Sequence, residues 1–225
     1  MAEQASESGQ TRINVSPIAA PSILGLYGFA GSTLILASHT AHWWGDPKDT
    51  VYIWPFAAIF GGVAQFAAGM WAYKARDGLA TGMHGMWGSF WVGWGILELL
   101  IAAGVAPPPS GAFPAFAMWF VALAWITFVG AIVASFENLA LAATLHTLWL
   151  GSALLAIGEF MGADGWRILA GWVFVVSAVC AWYTASALML EGIGKPILPV
   201  GMTKTAAQEP EVAPGAGEPG VAKGQ

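Results

Sequence analysis

Ala20-Pro21-Ser22-Ile23-Leu24-Gly25-Leu26-Tyr27-Gly28-Phe29 begins a run that stays uncharged through Gly31-Ser32-Thr33-Leu34-Ile35-Leu36-Ala37-Ser38 to His39 and His42. A bilayer's hydrocarbon layer is crossed by about 20 mostly apolar residues in helical form, and this run has that length. Pro21 suits the first helical position, where its missing N–H lies among donors that go unpaired anyway. Gly25 and Gly28 leave one flank of the helix bare, so that a neighbouring backbone can approach. The stretch therefore reads as a membrane helix with a close-packed flank.

The rest of the chain agrees. Hydrophobic residues make up 57% of it and charged residues 9%, against about 25% charged in soluble proteins. Six apolar stretches are long enough to span: 21–43, 51–73, 80–104, 114–135, 138–160 and 166–190. The breaks between them fall at Trp44–Asp49, Lys74–Gly78, Pro107–Gly111, Phe136–Asn138 and Gly162–Gly165, and all but the fourth carry Pro or Gly. The expected fold is an all-α bundle of six transmembrane helices over 19–201. Residues 1–18 and 202–225 are polar and aperiodic, which predicts disordered tails. No basic start followed by a short apolar core appears near Met1, so no cleavable signal peptide is expected. Basic residues near the span ends divide as Arg12, Lys74, Arg76, Lys195 and Lys204 on the side of the two termini, against Lys48 and Arg167 on the other. By the positive-inside rule both termini face the cytoplasm, which places the chain in the cell inner (plasma) membrane as a multi-pass protein. A net charge of −5 argues against nucleic-acid binding. The one cysteine, Cys180, rules out a disulfide within the chain.

Polar residues inside these stretches are the candidates for function. His84, Trp87, Trp91, Trp94 and Glu98 recur at spacings of three and four, so they form one stripe on the third helix. That stripe faces either lipid and neighbouring subunits or the interior. Glu98 is a carboxylate in a membrane helix, a group that faces protein or a water-filled cavity unless it reaches the headgroups; Glu159 raises the same question. Gln65 both donates and accepts, which suits either a carboxylate ligand or a bridge between helices. His39, His42, His84 and His146 are available for a proton-linked role, for structural hydrogen bonds, or for a heme site. No phosphate-binding loop, nucleophile elbow or metal-ligand spacing is present. No enzymatic activity, cofactor or metal is expected, and the driving force for any transport must come from gradients.

Several segments together resemble the acetate uptake transporter family of microbes, also called the succinate-acetate permease family. Its first helix opens Asn-Pro-Ala-Pro-Leu-Gly-Leu, aligned here with Ala20-Pro21-Ser22-Ile23-Leu24-Gly25-Leu26; Ala20 replaces Asn and Ile23 the second Pro. Gly61-Gly62-Val63-Ala64-Gln65 with Tyr73-Lys74, Trp87-Gly88-Ser89-Phe90-Trp91, and the segment from Ala170-Gly171-Trp172 to Leu198-Pro199-Val200-Gly201 follow in the family's order. The resemblance implies a hexamer of six-helix subunits, each with its own pore, carrying acetate or succinate, often with protons. It implies an entrance motif at Pro21, Leu24, Gly25 and Leu26, and an apolar constriction at Phe29, Trp87 and Leu148, with Trp87 in place of the family's Tyr. Ala181 matches a small pore-lining position, and Thr184 offers a hydroxyl one turn on. With Gln65, His39 and Glu98 these are the pore-lining candidates. The expected partners are a small carboxylate such as acetate, the lipid bilayer and further copies of the chain. An ammonia or other small-solute channel, and a membrane heme or redox protein, are the alternatives.

Overall fold

The structure is a computed structural model that describes residues 19–203. Among the described residues six helices are long and apolar enough to span a membrane: α1 Pro21–Thr40, α2 Pro47–Ala75, α3 Gly78–Ala102, α4 Pro114–Glu137, α5 Leu139–Met161 and α6 Asp164–Gly192. All six expected spans are therefore found, with ends moved by a few residues. The expected tails, apart from Met202 and Thr203, lie outside the described residues.

Local chemistry explains the ends. Pro21 and Pro114 begin α1 and α4. Asp77 caps α3 by accepting from the Ala80 N–H at 2.8 Å, and Gly162 closes α5 in the left-handed region at φ 61°. The α4–α5 break, which has neither Pro nor Gly, rests on Asn138. Its backbone is extended, and its side chain accepts from the Leu141 N–H at 2.9 Å.

The second helix is not uniform. A 3₁₀ turn at Pro47–Asp49 leads into regular helix at Thr50–Ala57, then a π segment at Ala58–Ala64, then regular helix at Gln65–Ala75. Pro55 lies inside the regular part just ahead of the π segment; it has no N–H to bond one turn back, and its ring crowds the preceding carbonyl, which loosens the helical ladder there. The widened turn brings Gly61 against the Trp91 ring and Gly62 against Val92, where a Cβ would lie 2.8 Å from each.

Lipid tails are as apolar as Leu, so close backbone approach rather than hydrophobicity holds such helices together. The α2–α3 seam shows it: a Cβ on Gly69 would meet the Gly85 backbone at 2.7 Å, and one on Gly88 the Phe66 backbone at 2.5 Å. Gly28 of α1 lies against the Phe60 carbonyl of α2. Helices α4, α5, α6 and α1 pack side by side in that order, and α1 continues onto α2 and α3. Large apolar side chains such as Tyr52, Phe56, Trp119 and Trp125 remain exposed on the outside, as a lipid-facing or subunit-facing surface requires.

After α6 the chain doubles back as a strap. The Leu139 N–H donates to the Gly201 carbonyl and the Ala140 N–H to the Val200 carbonyl, each at 3.0 Å. The Thr203 N–H donates to the Glu137 carbonyl at 3.1 Å, and its hydroxyl to the Phe136 carbonyl. Met202 and Thr203, assigned to the tail by composition, lie within this strap. The strap supplies acceptors to the first turn of α5 and donors to the last turn of α4, which is why a break so poor in turn residues holds.

Candidate functional site

Phe29 of α1, Trp87 of α3 and Leu148 of α5 come together in the middle of the bundle, with exposures of 2%, 3% and 2%. The Phe29 and Trp87 rings meet edge to face at 6.1 Å between centroids. The Trp87 indole N–H donates to Thr127 Oγ1 of α4 at 2.9 Å, which fixes the plane of the ring. All three line a cavity toward the end of the bundle that carries residues 19 and 203, and Trp87 and Leu148 also line a second cavity toward the opposite end. Of this trio, the collar, Trp87 and Leu148 are walls of both chambers and Phe29 of the first alone.

The first chamber has about 40 Å³ of water-accessible space, enough for a few water molecules. Its polar lining is Ser22, Gln65, Asp77, His84, Glu137 and Thr144, with no Lys or Arg. Gln65 and His84 are buried. The His84 ring bridges two helices, with Nε2 3.3 Å from Ser22 Oγ and Nδ1 3.5 Å from Gln65 Nε2. Gln65 Oε1 is buried without a partner. Gly25 permits this arrangement, because a Cβ there would run into the imidazole. In the expected entrance motif, Pro21 starts the helix, Gly25 and Leu26 turn inward, and Leu24 is half exposed on the outside.

The second chamber has about 50 Å³ of water-accessible space and is lined chiefly by aromatic and aliphatic side chains, with Thr33 and Thr40 on its α1 wall. Thr40 also lines a wide mouth of about 520 Å³ together with His39, His42 and Arg167. His39 therefore stands at this mouth, its Nε2 2.8 Å from the Asp46 carbonyl, away from the collar. Arg167 is held by Glu159 through two contacts, at 2.9 and 3.0 Å, and by Asp164 at 3.0 Å, so Glu159 is a structural partner.

The remaining expected residues line neither chamber. Ala181 and Thr184 are buried between helices, and the Thr184 hydroxyl donates to the Cys180 carbonyl at 2.8 Å. Glu98 is partly buried and bonds to Trp94 on its own helix. The aromatic stripe of α3 does face inward, with Trp87 and Trp91 on the second chamber and Glu98 beyond its lining. Ser22, Thr33 and Thr127 are site residues that the sequence reading did not single out. Thr33 follows Phe29 by four residues, so helical spacing alone placed it on the same face. Among the described residues no three His, Cys, Asp or Glu side chains converge as a metal site. His39 and His42 lie at one end of the bundle, His84 toward the other, and His146 bonds to Ser135 and Trp149 on the flank, an arrangement that does not oppose two histidines across a heme.

Comparison with known proteins gives a consistent picture. The succinate-acetate/proton symporter SatP of Escherichia coli (strain K12) is 29% identical over 190 residues, covering 82% of this chain and 96% of SatP. The glyoxylate pathway regulator of Yarrowia lipolytica is 26% identical, covering 80% of this chain and 67% of the regulator. Ammonia transport outward protein 2 of Saccharomyces cerevisiae is 28% identical, covering 77% of this chain and 62% of that protein. Among solved structures, the bacterial acetate channel SatP superposes with a TM-score of 0.75 at 25% identity, covering 82% of this chain and all of the channel. Residues 3–197 match the GPR1/FUN34/yaaH family, and the chain belongs to that family.

Proposed function

We infer that this protein carries acetate and related small carboxylates across a membrane, along the line of two chambers joined through the collar. The observation that supports it most is the collar itself: three large apolar side chains from three helices, with a chamber that carries several polar side chains on one side and an almost wholly apolar one on the other. A ring of this kind expels water and so blocks ion leak. An ionised carboxylate in apolar surroundings is costly enough that it takes up a proton instead. Proton-linked passage, with the substrate crossing the collar as the neutral acid, is the physically easier route. His84, Gln65 and Ser22 supply hydrogen-bonding groups where the substrate waits before that step. The symporter and the acetate channel to which the chain is similar point to the same substrate class.

The test is uptake of labelled acetate into liposomes holding the purified protein, with internal pH followed at the same time. Acetate uptake with internal acidification, beyond that of protein-free liposomes, is the expected result. Ammonia flux without acetate flux would favour the alternative suggested by the yeast relative. Assembly as a hexamer, which the family resemblance implies, is tested on the same preparation by its mass in detergent.

A further inference from the structure

Helices α3 and α4 touch only sparsely, and an open groove of about 500 Å³ runs between them. Its α3 wall is drawn from residues between Met86 and Leu97 and its α4 wall from residues between Phe116 and Ile126, all within the spans. Small residues keep it open. Ser89 and Gly93 belong to one wall and Ala122 to the other, and a Cβ on Gly93 would meet nothing within 4 Å.

Chemistry and size together decide what fits. No charged side chain lines the groove, Ser89 already donates its hydroxyl to the Gly85 carbonyl at 2.8 Å, and the Trp94 side chain bonds to Glu98. An occupant therefore needs no polar group, and between the ends of membrane spans the surrounding medium is hydrocarbon. From Met86 to Leu97 the groove is roughly 17 Å long, at a helical rise of about 1.5 Å per residue. Its volume spread over that length leaves a cross-section of roughly 30 Å², far below the roughly 80 Å² of a helix about 10 Å across. A partner helix cannot lie in it. A single extended alkyl chain can, since its carbons approach their neighbours to about 3.5–4.0 Å.

Phe90 is the one residue that lines both this groove and the second chamber. Its ring stacks on Phe116 of the groove at 6.2 Å between centroids, and meets Phe120 of the chamber edge to face at 5.2 Å. A single aromatic ring thus separates the two spaces. We propose that the α3–α4 groove is a binding slot for one acyl chain of a membrane phospholipid, with the Phe90 ring as the partition between that chain and the second chamber. Lipid in the slot is held between two helices and bears on a residue of the chamber, which lipid over the rest of the outer surface does not. The slot exists whatever solute the chambers carry.

The experiment places the full chain in phosphatidylethanolamine–phosphatidylglycerol vesicles that contain a small share of phosphatidylcholine with a photoreactive diazirine in mid-chain. After irradiation, labelled residues are located by mass spectrometry. Labelling is expected to concentrate on Ser89, Gly93 and Trp119, several-fold above Leu169 and Val176, which are exposed on α6 toward the same end of the bundle. Gly93→Leu puts a side chain into the slot and should remove most of the groove labelling. Ala122→Leu does the same from the other wall, should Gly93→Leu not fold. Phe90→Ala opens the partition, so labelling should extend to Leu155 in the second chamber; Phe90→Leu takes its place if that variant does not fold. Equal labelling of the groove and of Leu169 and Val176, or groove labelling that survives the filling variants, overturns the slot. An unlabelled groove overturns it too, and means that a second copy of the chain covers α3 and α4. Groove labelling that never reaches Leu155 in the Phe90 variants overturns the role of Phe90 as partition.

Discussion

Trp87 brings an indole N–H into a part of the molecule with little water, and Thr127 is placed to receive it. On the buried face of α4, which includes Phe120, Leu123, Gly130 and Ala134, Thr127 is the only hydroxyl. Thr127→Val keeps the shape and removes the acceptor, leaving the N–H unpaired at a cost of about 1–3 kcal/mol. The expected result is a lower unfolding temperature for the protein in detergent, with most of the loss regained in Thr127→Ser. The bond links residues 40 apart in the chain on two different helices, so no pattern in the sequence pairs them. The position of Trp87 was legible through the Trp-Gly-Ser-Phe-Trp segment; what holds its ring depends on how α3 and α4 face each other. His84 and Glu98 show the same limit. Helical spacing puts both on one stripe, yet only His84 reaches a chamber, because the lining of a cavity is set by neighbouring helices.

At the scale of single helices, most of what matters was visible in advance. Span length and hydropathy are local properties, so the six helices could be counted from composition, whereas the close packing of α2 on α3 depends on which glycine faces meet. The π segment could not be foreseen with the same ease, since Pro55 alone permits either a kink or a simple bend. The α2–α3 seam yields a paired prediction. A Cβ on Gly69 would press on the Gly85 backbone at 2.7 Å, where no side-chain rotation gives relief, whereas a Cβ on Gly82 meets nothing within 4 Å. Gly69→Ala should therefore lower stability by about 1–3 kcal/mol or more. Gly82→Ala should be neutral or stabilise by about 0.5–1 kcal/mol, as expected where Ala replaces Gly inside a helix. Thermal unfolding of the two variants beside the parent decides it; equal losses would mean the seam is looser than its geometry.

For the whole molecule, the collar joins three helices, so its width is a property of the assembled bundle. Leu148→Ala and Trp87→Ala should admit larger acids such as lactate, and Trp87→Tyr should shift preference toward acetate. Competition of labelled acetate uptake by a series of longer acids, at matched protein levels, checks this; a profile unchanged in folded variants would make the three residues simple packing. Both ends of the bundle lie on one face, the side with more basic residues, so a reporter joined after Gln225 should be active only if it works in the cytoplasm. A signal from a reporter that works only outside would reverse the orientation. The strap adds a matter of timing. Val200 and Gly201 provide the acceptors for the first N–H groups of α5, and they leave the ribosome some sixty residues after that helix begins. During synthesis the α4–α5 junction must wait, its amides held by water or by the insertion machinery, until nearly the whole chain has been made. A chain stopped after Pro199 would contain all six described spans and still lack this last fastening, so it should insert normally and then be cleared faster than the unshortened chain in a pulse-chase measurement.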